Sequence, residues 1–182
     1  DAKVKIAAGD TDSIVRAVKS SGAEGIIEFT HPTAVIANVR ALLPLGLPLV
    51  VGTTGWNDKH AEIDAYAKEV GGTVMTAGNF SIGVNMFYKI VEEAAKIMSE
   101  YKDYDVATWE MHHNQKADSP SGTALEIARR VQMGYKDKTE IVTDAFHERP
   151  VANQLHVSST RCGNVPGTHK VFFDGTADTI EL

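Results

Sequence analysis

Cysteine is almost missing from this sequence: Cys162 stands alone among 182 residues. One thiol cannot close an internal disulfide or build a multi-cysteine metal site, and a reducing, cytoplasmic setting is the expectation. Long apolar runs are lacking as well. Nothing approaches the roughly eighteen consecutive apolar residues of a membrane-spanning helix, and the opening Asp1-Ala2-Lys3-Val4 has no signal-peptide layout. Positive charge is in the minority, with 18 Lys and Arg against 24 Asp and Glu and a net charge of −6. That removes any global attraction to nucleic acid or an anionic membrane, but it leaves room for a local basic pocket that takes an acidic metabolite. Also absent are the Gly-x-Gly-x-x-Gly dinucleotide loop, a Walker phosphate loop, and the His-Glu-x-x-His and Cys-x-x-Cys metal spacings. What remains, 43% hydrophobic and 23% charged residues, is the composition of an ordinary globular chain, which excludes disorder, collagen and coiled coil.

Short apolar runs alternate with segments of helical period. Residues 4–8 read as a strand, and so do 26–30, 47–51, 73–76 and 105–109. Between them, Val35, Val39, Leu42 and Leu43 recur at helical spacing, and Asn57 is placed to cap a helix carrying Ile63, Tyr66, Ala67 and Val70. Residues 81–100 form the strongest helical pattern, with Val84, Phe87, Tyr88, Val91, Ala95 and Met98 on one face. This alternation predicts an α/β fold with a Rossmann-like parallel sheet, whose ligands sit outside the carboxyl ends of the strands. From about Asp137 the pattern changes to short extended runs at 142–146, 155–160, 170–173 and 179–182. They predict a second, α+β region with a mixed sheet. The domain boundary is expected near 105/106, giving a nucleotide-binding domain over 1–105 and a substrate-binding and oligomerisation domain over 106–182. A missing initiator Met and a strand cut at residue 182 suggest a piece of a longer domain.

The densest polar cluster is Glu110-Met111-His112-His113-Asn114-Gln115-Lys116-Ala117-Asp118-Ser119-Pro120-Ser121-Gly122-Thr123-Ala124. Histidines at a strand end can supply an acid/base and a hydrogen-bond donor near neutral pH, and Lys116 adds a cation. The helix that follows, with Ala124, Ile127, Ala128 and Val131 as its apolar stripe, offers backbone N–H groups to a carboxylate or phosphate. Adjacent histidines on an extended segment face opposite ways, so acid/base chemistry outranks a metal site here and no metal is expected. Gly52-Thr53-Thr54-Gly55 and Ala77-Gly78-Asn79-Phe80-Ser81 also follow strands. Either can let a ligand approach the backbone, or be a plain turn and helix cap.

These motifs resemble the dihydrodipicolinate reductase (4-hydroxy-tetrahydrodipicolinate reductase) family of the diaminopimelate route to lysine. The long cluster resembles the family signature. Phe29-Thr30-His31-Pro32, Val51-Gly52-Thr53-Thr54-Gly55, Asn79-Phe80-Ser81-Ile82-Gly83-Val84-Asn85 and Arg161-Cys162-Gly163-Asn164-Val165-Pro166-Gly167-Thr168-His169 resemble its other motifs, in order. The resemblance implies that His112 is the catalytic acid/base and Lys116 the proton donor, while His113, Gly122 and Thr123 hold the substrate's carboxylates. It further implies that Gly52, Thr53, Thr54, Ala77, Gly78, Asn79 and Phe80 contact the nicotinamide half of NADH or NADPH. A cytoplasmic homotetramer joined through the second domain's sheet is implied too. The family's opening strand, Gly-rich loop and helix are expected to lie upstream of Asp1. The alternatives from other classes are a silent binding or assembly module, and a metal-dependent hydrolase using His112 and His113.

Overall fold

The computed structural model describes residues 10–182, so the strand expected over 4–8 lies outside the described residues. The chain divides into two compact units, Asp1–Phe80 and Ser81–Leu182.

In the first unit, β1 (Ile26–Glu28), β2 (Leu49–Val51) and β3 (Val74–Thr76) form a parallel sheet in the order β1-β2-β3, with Ile26, Leu49 and Val74 in register. The helices are α1 (Thr11–Ser21), α2 (Val35–Leu42) and α3 (His60–Glu69). Val35, Val39, Leu43, Leu49, Val51 and Ile63 are buried together in one core. Helix α1 has a weak signature in the sequence, because only Ile14 and Val18 are buried. Its N-terminus is capped by Asp10, whose carboxylate accepts the Asp12 amide at 3.1 Å. Asn57 does not cap α3. A 3-10 turn over Asn57–Lys59 intervenes, and the α-helix begins at His60 without a side-chain cap. Trp56 is buried beside this turn and donates its indole N–H to the Thr53 carbonyl at 2.6 Å.

The second unit contains α4 (Ile82–Met98), β4 (Asp105–His112), α5 (Gly122–Gly134), β5 (Glu140–Val142), β6 (Gln154–Arg161), β7 (Thr168–Asp174) and β8 (Thr179–Glu181). Its sheet runs β5-β6-β4-β7-β8. The pairs β5/β6 and β6/β4 are parallel, while β4/β7 and β7/β8 are antiparallel, so the sheet is mixed as the sequence predicts. Val91 and Ala95 of α4 and Ile127 and Val131 of α5 share a core with Leu155, Val157, Val171 and Phe173 of the sheet. This packing corrects the boundary expected at 105/106. The apolar face of α4 is buried against α5 and the second sheet, so the units divide after Phe80 instead. Of the run at 142–146 only Val142 is in a strand, the last residue of β5. No helix among the described residues is long and apolar enough to cross a membrane.

Gly134 ends α5 where it meets α4. A Cβ there would lie 2.6 Å from the Glu92 carbonyl oxygen and 2.6 Å from the Lys96 amide nitrogen, both backbone atoms. Gly134→Ala should therefore destabilise the second unit by about 1–3 kcal/mol, the usual cost of overpacking. Denaturant unfolding measures it, and an unchanged midpoint would mean the helices separate freely.

Candidate active site

Strand β4 alternates, burying Val106, Thr108 and Glu110 on one face. A carboxylate on that face needs donors, and four protein groups supply them. Glu110, 0% exposed, accepts the Ser121 amide at 2.9 Å and also the Ser121 hydroxyl. From β6 it accepts the Ser159 hydroxyl at 3.0 Å and the Arg161 guanidinium at 2.9 Å. Burial by itself raises the carboxyl's pKa, but the bonds from Ser121, Arg161 and Ser159 outweigh it and hold Glu110 at about 2.

His112 closes β4 on the same face. Its Nε2 lies 3.3 Å from Glu110 Oε2 but out of hydrogen-bond alignment, and its Nδ1 is 3.2 Å from the Pro166 carbonyl. His169, on β7, sets its ring edge-on to His112 at 5.3 Å between centroids. Its Nδ1 is 3.8 Å from the same Glu110 oxygen and is likewise buried without a hydrogen bond. Burial lowers the His169 pKa below the usual value, against the pull of Glu110. Behind His112, Gly167 has φ +153, and a Cβ there would sit 2.7 Å from the imidazole Cε1. Only a glycine leaves that ring its place.

Glu110, His112 and His169 bring ligand atoms within 4.8 Å of one another, close enough to hold a metal ion. The carboxylate, however, is already engaged by the Arg161 cation and the Ser121 hydroxyl. A second cation would have to displace these partners, so the cluster is better suited to holding a proton.

The loop from β4 to α5 brings the remaining candidates. Lys116 pairs with Asp118 at 2.8 Å. Burial raises the Asp118 pKa, but the bond and charge of Lys116 more than offset it and leave it lowered. The Asp118 carbonyl in turn accepts from Arg161. Ser121 caps α5, its hydroxyl accepting the Ala124 amide at 3.1 Å. Gly122 and Thr123 open the helix, and the Thr123 side chain is hydrogen-bonded with Tyr88 of α4. His113 follows directly after the strand. Thus His112, Lys116, Gly122 and Thr123 belong to one unit tied together by Glu110, Ser121 and Arg161. Arg161, Gly167 and His169 belong to the late Arg-to-His motif, for which the resemblance implies no individual roles; Arg161 and His169 reach Glu110, and Gly167 reaches His112, because β6 and β7 flank β4.

The nicotinamide candidates lie in the first unit. Gly52, Thr53 and Thr54 follow β2, and Ala77, Gly78, Asn79 and Phe80 follow β3, at the carboxyl ends of a parallel sheet. Thr53 is mainly a structural link. Its hydroxyl donates to the buried Glu28 at 2.6 Å and accepts the Thr30 amide at 2.8 Å. At Gly52 a Cβ would collide with the Phe29 ring, 2.0 Å away. Phe29 and Phe80 are 62% and 40% exposed and tilt together with centroids 6.2 Å apart. Exposed aromatic faces beside glycine turns fit a flat heteroaromatic ring.

Residues 2–80 match the family described as Dihydrodipicolinate reductase, N-terminus, and residues 83–182 match Dihydrodipicolinate reductase, C-terminus. A 4-hydroxy-tetrahydrodipicolinate reductase of Methanococcoides burtonii is 34% identical over 183 residues, covering 99% of this chain and 67% of that protein. One from Christiangramia forsetii is 35% identical over 157 residues, covering 86% of this chain and 64% of that protein. The chain thus spans about two thirds of the length of these relatives. A solved structure of dipicolinate-bound dihydrodipicolinate reductase from Paenisporosarcina sp. TG-14 shares the fold, with a TM-score of 0.67 at 22% identity. The match covers 93% of this chain and 64% of that one.

Proposed function

This chain belongs to the dihydrodipicolinate reductase family, and from that premise we propose that it takes part in reducing a cyclic dicarboxylate, 4-hydroxy-tetrahydrodipicolinate, to tetrahydrodipicolinate. In this reading the product feeds diaminopimelate and lysine synthesis. The observation that carries the reading is the union of an acid/base histidine and a helix N-terminus through one carboxylate, Glu110. A dianionic substrate wants cations and backbone donors, and His113, Lys116 and the first turn of α5 supply both types. In this conversion one hydride takes the place of the ring hydroxyl, which accepts one proton and leaves as water; His112 and Lys116 are the groups that would supply that proton.

The residues after β2 and β3, with the exposed rings of Phe29 and Phe80, would hold the nicotinamide of NADH or NADPH. When bound, that group supplies the hydride. A cytoplasmic homotetramer joined through the second unit's sheet completes the proposal, supported by the family resemblance. No metal is assigned a part. Membership of a reductase family favours this reading over a silent assembly module.

Pyridine-2,6-dicarboxylate, a flat dianion, should bind the chain and compete with substrate. Thr123→Val should weaken that binding by about 1–3 kcal/mol, the scale of one charge-assisted bond in a closed site. Tyr88→Phe removes only the protein partner of the Thr123 hydroxyl and should leave the affinity near wild type. Titration calorimetry decides it. Equal affinity for wild type and Thr123→Val would place the carboxylate site elsewhere.

A further inference from the structure

We infer, resting on the reductase reading above, that Glu110 is a positioning residue for the reaction: one buried carboxylate that fixes both the His112 ring and the start of the substrate-binding helix.

The argument begins with what a buried carboxylate does to its surroundings. Every oxygen lone pair needs a donor, so the groups around Glu110 are held in place by it. Those groups come from four elements. Ser121 arrives from the start of α5, bonded through both amide and hydroxyl. Ser159 and Arg161 arrive from β6, His169 from β7 and His112 from β4 itself. Lys116, in the β4–α5 loop, adds positive charge that is felt at His169. Its own counter-ion is Asp118.

Two of these ties matter for the reaction. On one side, the Ser121 amide and hydroxyl are spent on Glu110, which fixes the residue that caps α5 and so orients Gly122 and Thr123. On the other, His112 is enclosed. The Pro166 carbonyl faces Nδ1, the Glu110 carboxylate faces Nε2, and Gly167 lies against the ring. Acceptors meet the ring on both edges, and imidazolium is the form that can donate to both. Arg161 neutralises the other carboxylate oxygen, so the cluster keeps its counter-ion without a second free negative charge. His112 Nε2 and His169 Nδ1, two of the three buried side-chain nitrogens without a hydrogen bond among the described residues (Arg161 Nε is the third), both look at Oε2. Reorientation of the ring, not a closer approach, is what would turn the 3.3 Å contact of His112 with Glu110 into a charge-assisted bond.

Glu110→Gln keeps the shape and loses the charge, while Glu110→Asp keeps the charge and loses reach. In steady-state kinetics Glu110→Gln should lower kcat roughly tenfold or more with the KM for the nicotinamide unchanged. Glu110→Asp should recover part of kcat. A folded Glu110→Gln with wild-type kcat, or a Glu110→Asp no better than Glu110→Gln, overturns the inference. Should Glu110→Gln not fold, Gly167→Ala tests the same ring from its other side. That variant displaces His112 and leaves the carboxylate intact, so wild-type turnover in it would also overturn the inference. Wild-type protein that neither binds pyridine-2,6-dicarboxylate nor consumes reduced nicotinamide would instead overturn the reductase reading itself.

Discussion

His112→Ala and Lys116→Ala should each lower kcat by roughly 10²–10⁴-fold, the range typical of acid/base residues. A proton donor acts mainly in the transition state, so the loss appears in turnover rather than in binding. His113→Ala should act largely on KM for the dicarboxylate, because a carboxylate is held much alike in ground and transition states. Nicotinamide affinity should stay near wild type in all three, since its proposed contacts lie in the other compact unit, after β2 and β3. Kinetics on the three variants, with fluorescence titration of the cofactor, checks the set. If His112→Ala changes only KM and His113→Ala abolishes turnover, the roles of the adjacent pair are reversed. The enclosure of His112 by Glu110, Pro166 and Gly167 makes that comparison decisive.

Acid should unfold the second unit in a window set by Glu110. Its folded-state pKa of about 2 lies below the ordinary 4.5, so the folded state binds this proton less readily than the unfolded chain does. The resulting stability is fully present above pH 4.5 and is lost as pH falls from there through about 2. Its size is of order 3 kcal/mol. His169 contributes with the same sign. Burial disfavours its charged form in the fold, so its part begins to be lost once pH drops below the usual histidine value of 6.5. Trp109, whose indole donates to Thr160 on β6 at 3.0 Å, reports on this unit in a Trp56→Phe background. Glu110→Gln should flatten the steep acid limb of its unfolding curve. A limb that keeps its slope would assign the transition to other carboxyls.

The sequence reading and the structure agree where a local pattern is strong. The stripes of α4 and α5 match their buried faces, and Ala124, Ile127, Ala128 and Val131 are all core residues. The alternation of strands and helices likewise leads to the parallel sheet of the first unit. Failures occur where the outcome depends on partners distant in sequence. Nothing in Asp105-Val106-Ala107-Thr108-Trp109 says that it pairs with β6 and β7 rather than extending the first sheet. Asn57 has the right residue type for a helix cap, but a 3-10 turn displaces it. Within the candidate site, His112 and Lys116 are proposed from side-chain chemistry and the family resemblance. Glu110 is not legible in the sequence, because a glutamate's burial follows from Ser121, Ser159 and Arg161 closing over it. The Lys116–Asp118 pair was open to inspection in the sequence, two residues apart, but only loop geometry shows that it forms.

Cys162, the lone thiol, is exposed, and its amide donates to the carbonyl of His112 at 2.9 Å. A trifluoromethyl tag or a small dye attached there needs no other cysteine removed and no mutation made. It would sit next to Arg161, on the segment that connects β6 to Gly167. Fluorine NMR on the otherwise unaltered chain could then follow, in real time, whether a dicarboxylate has entered beside His112.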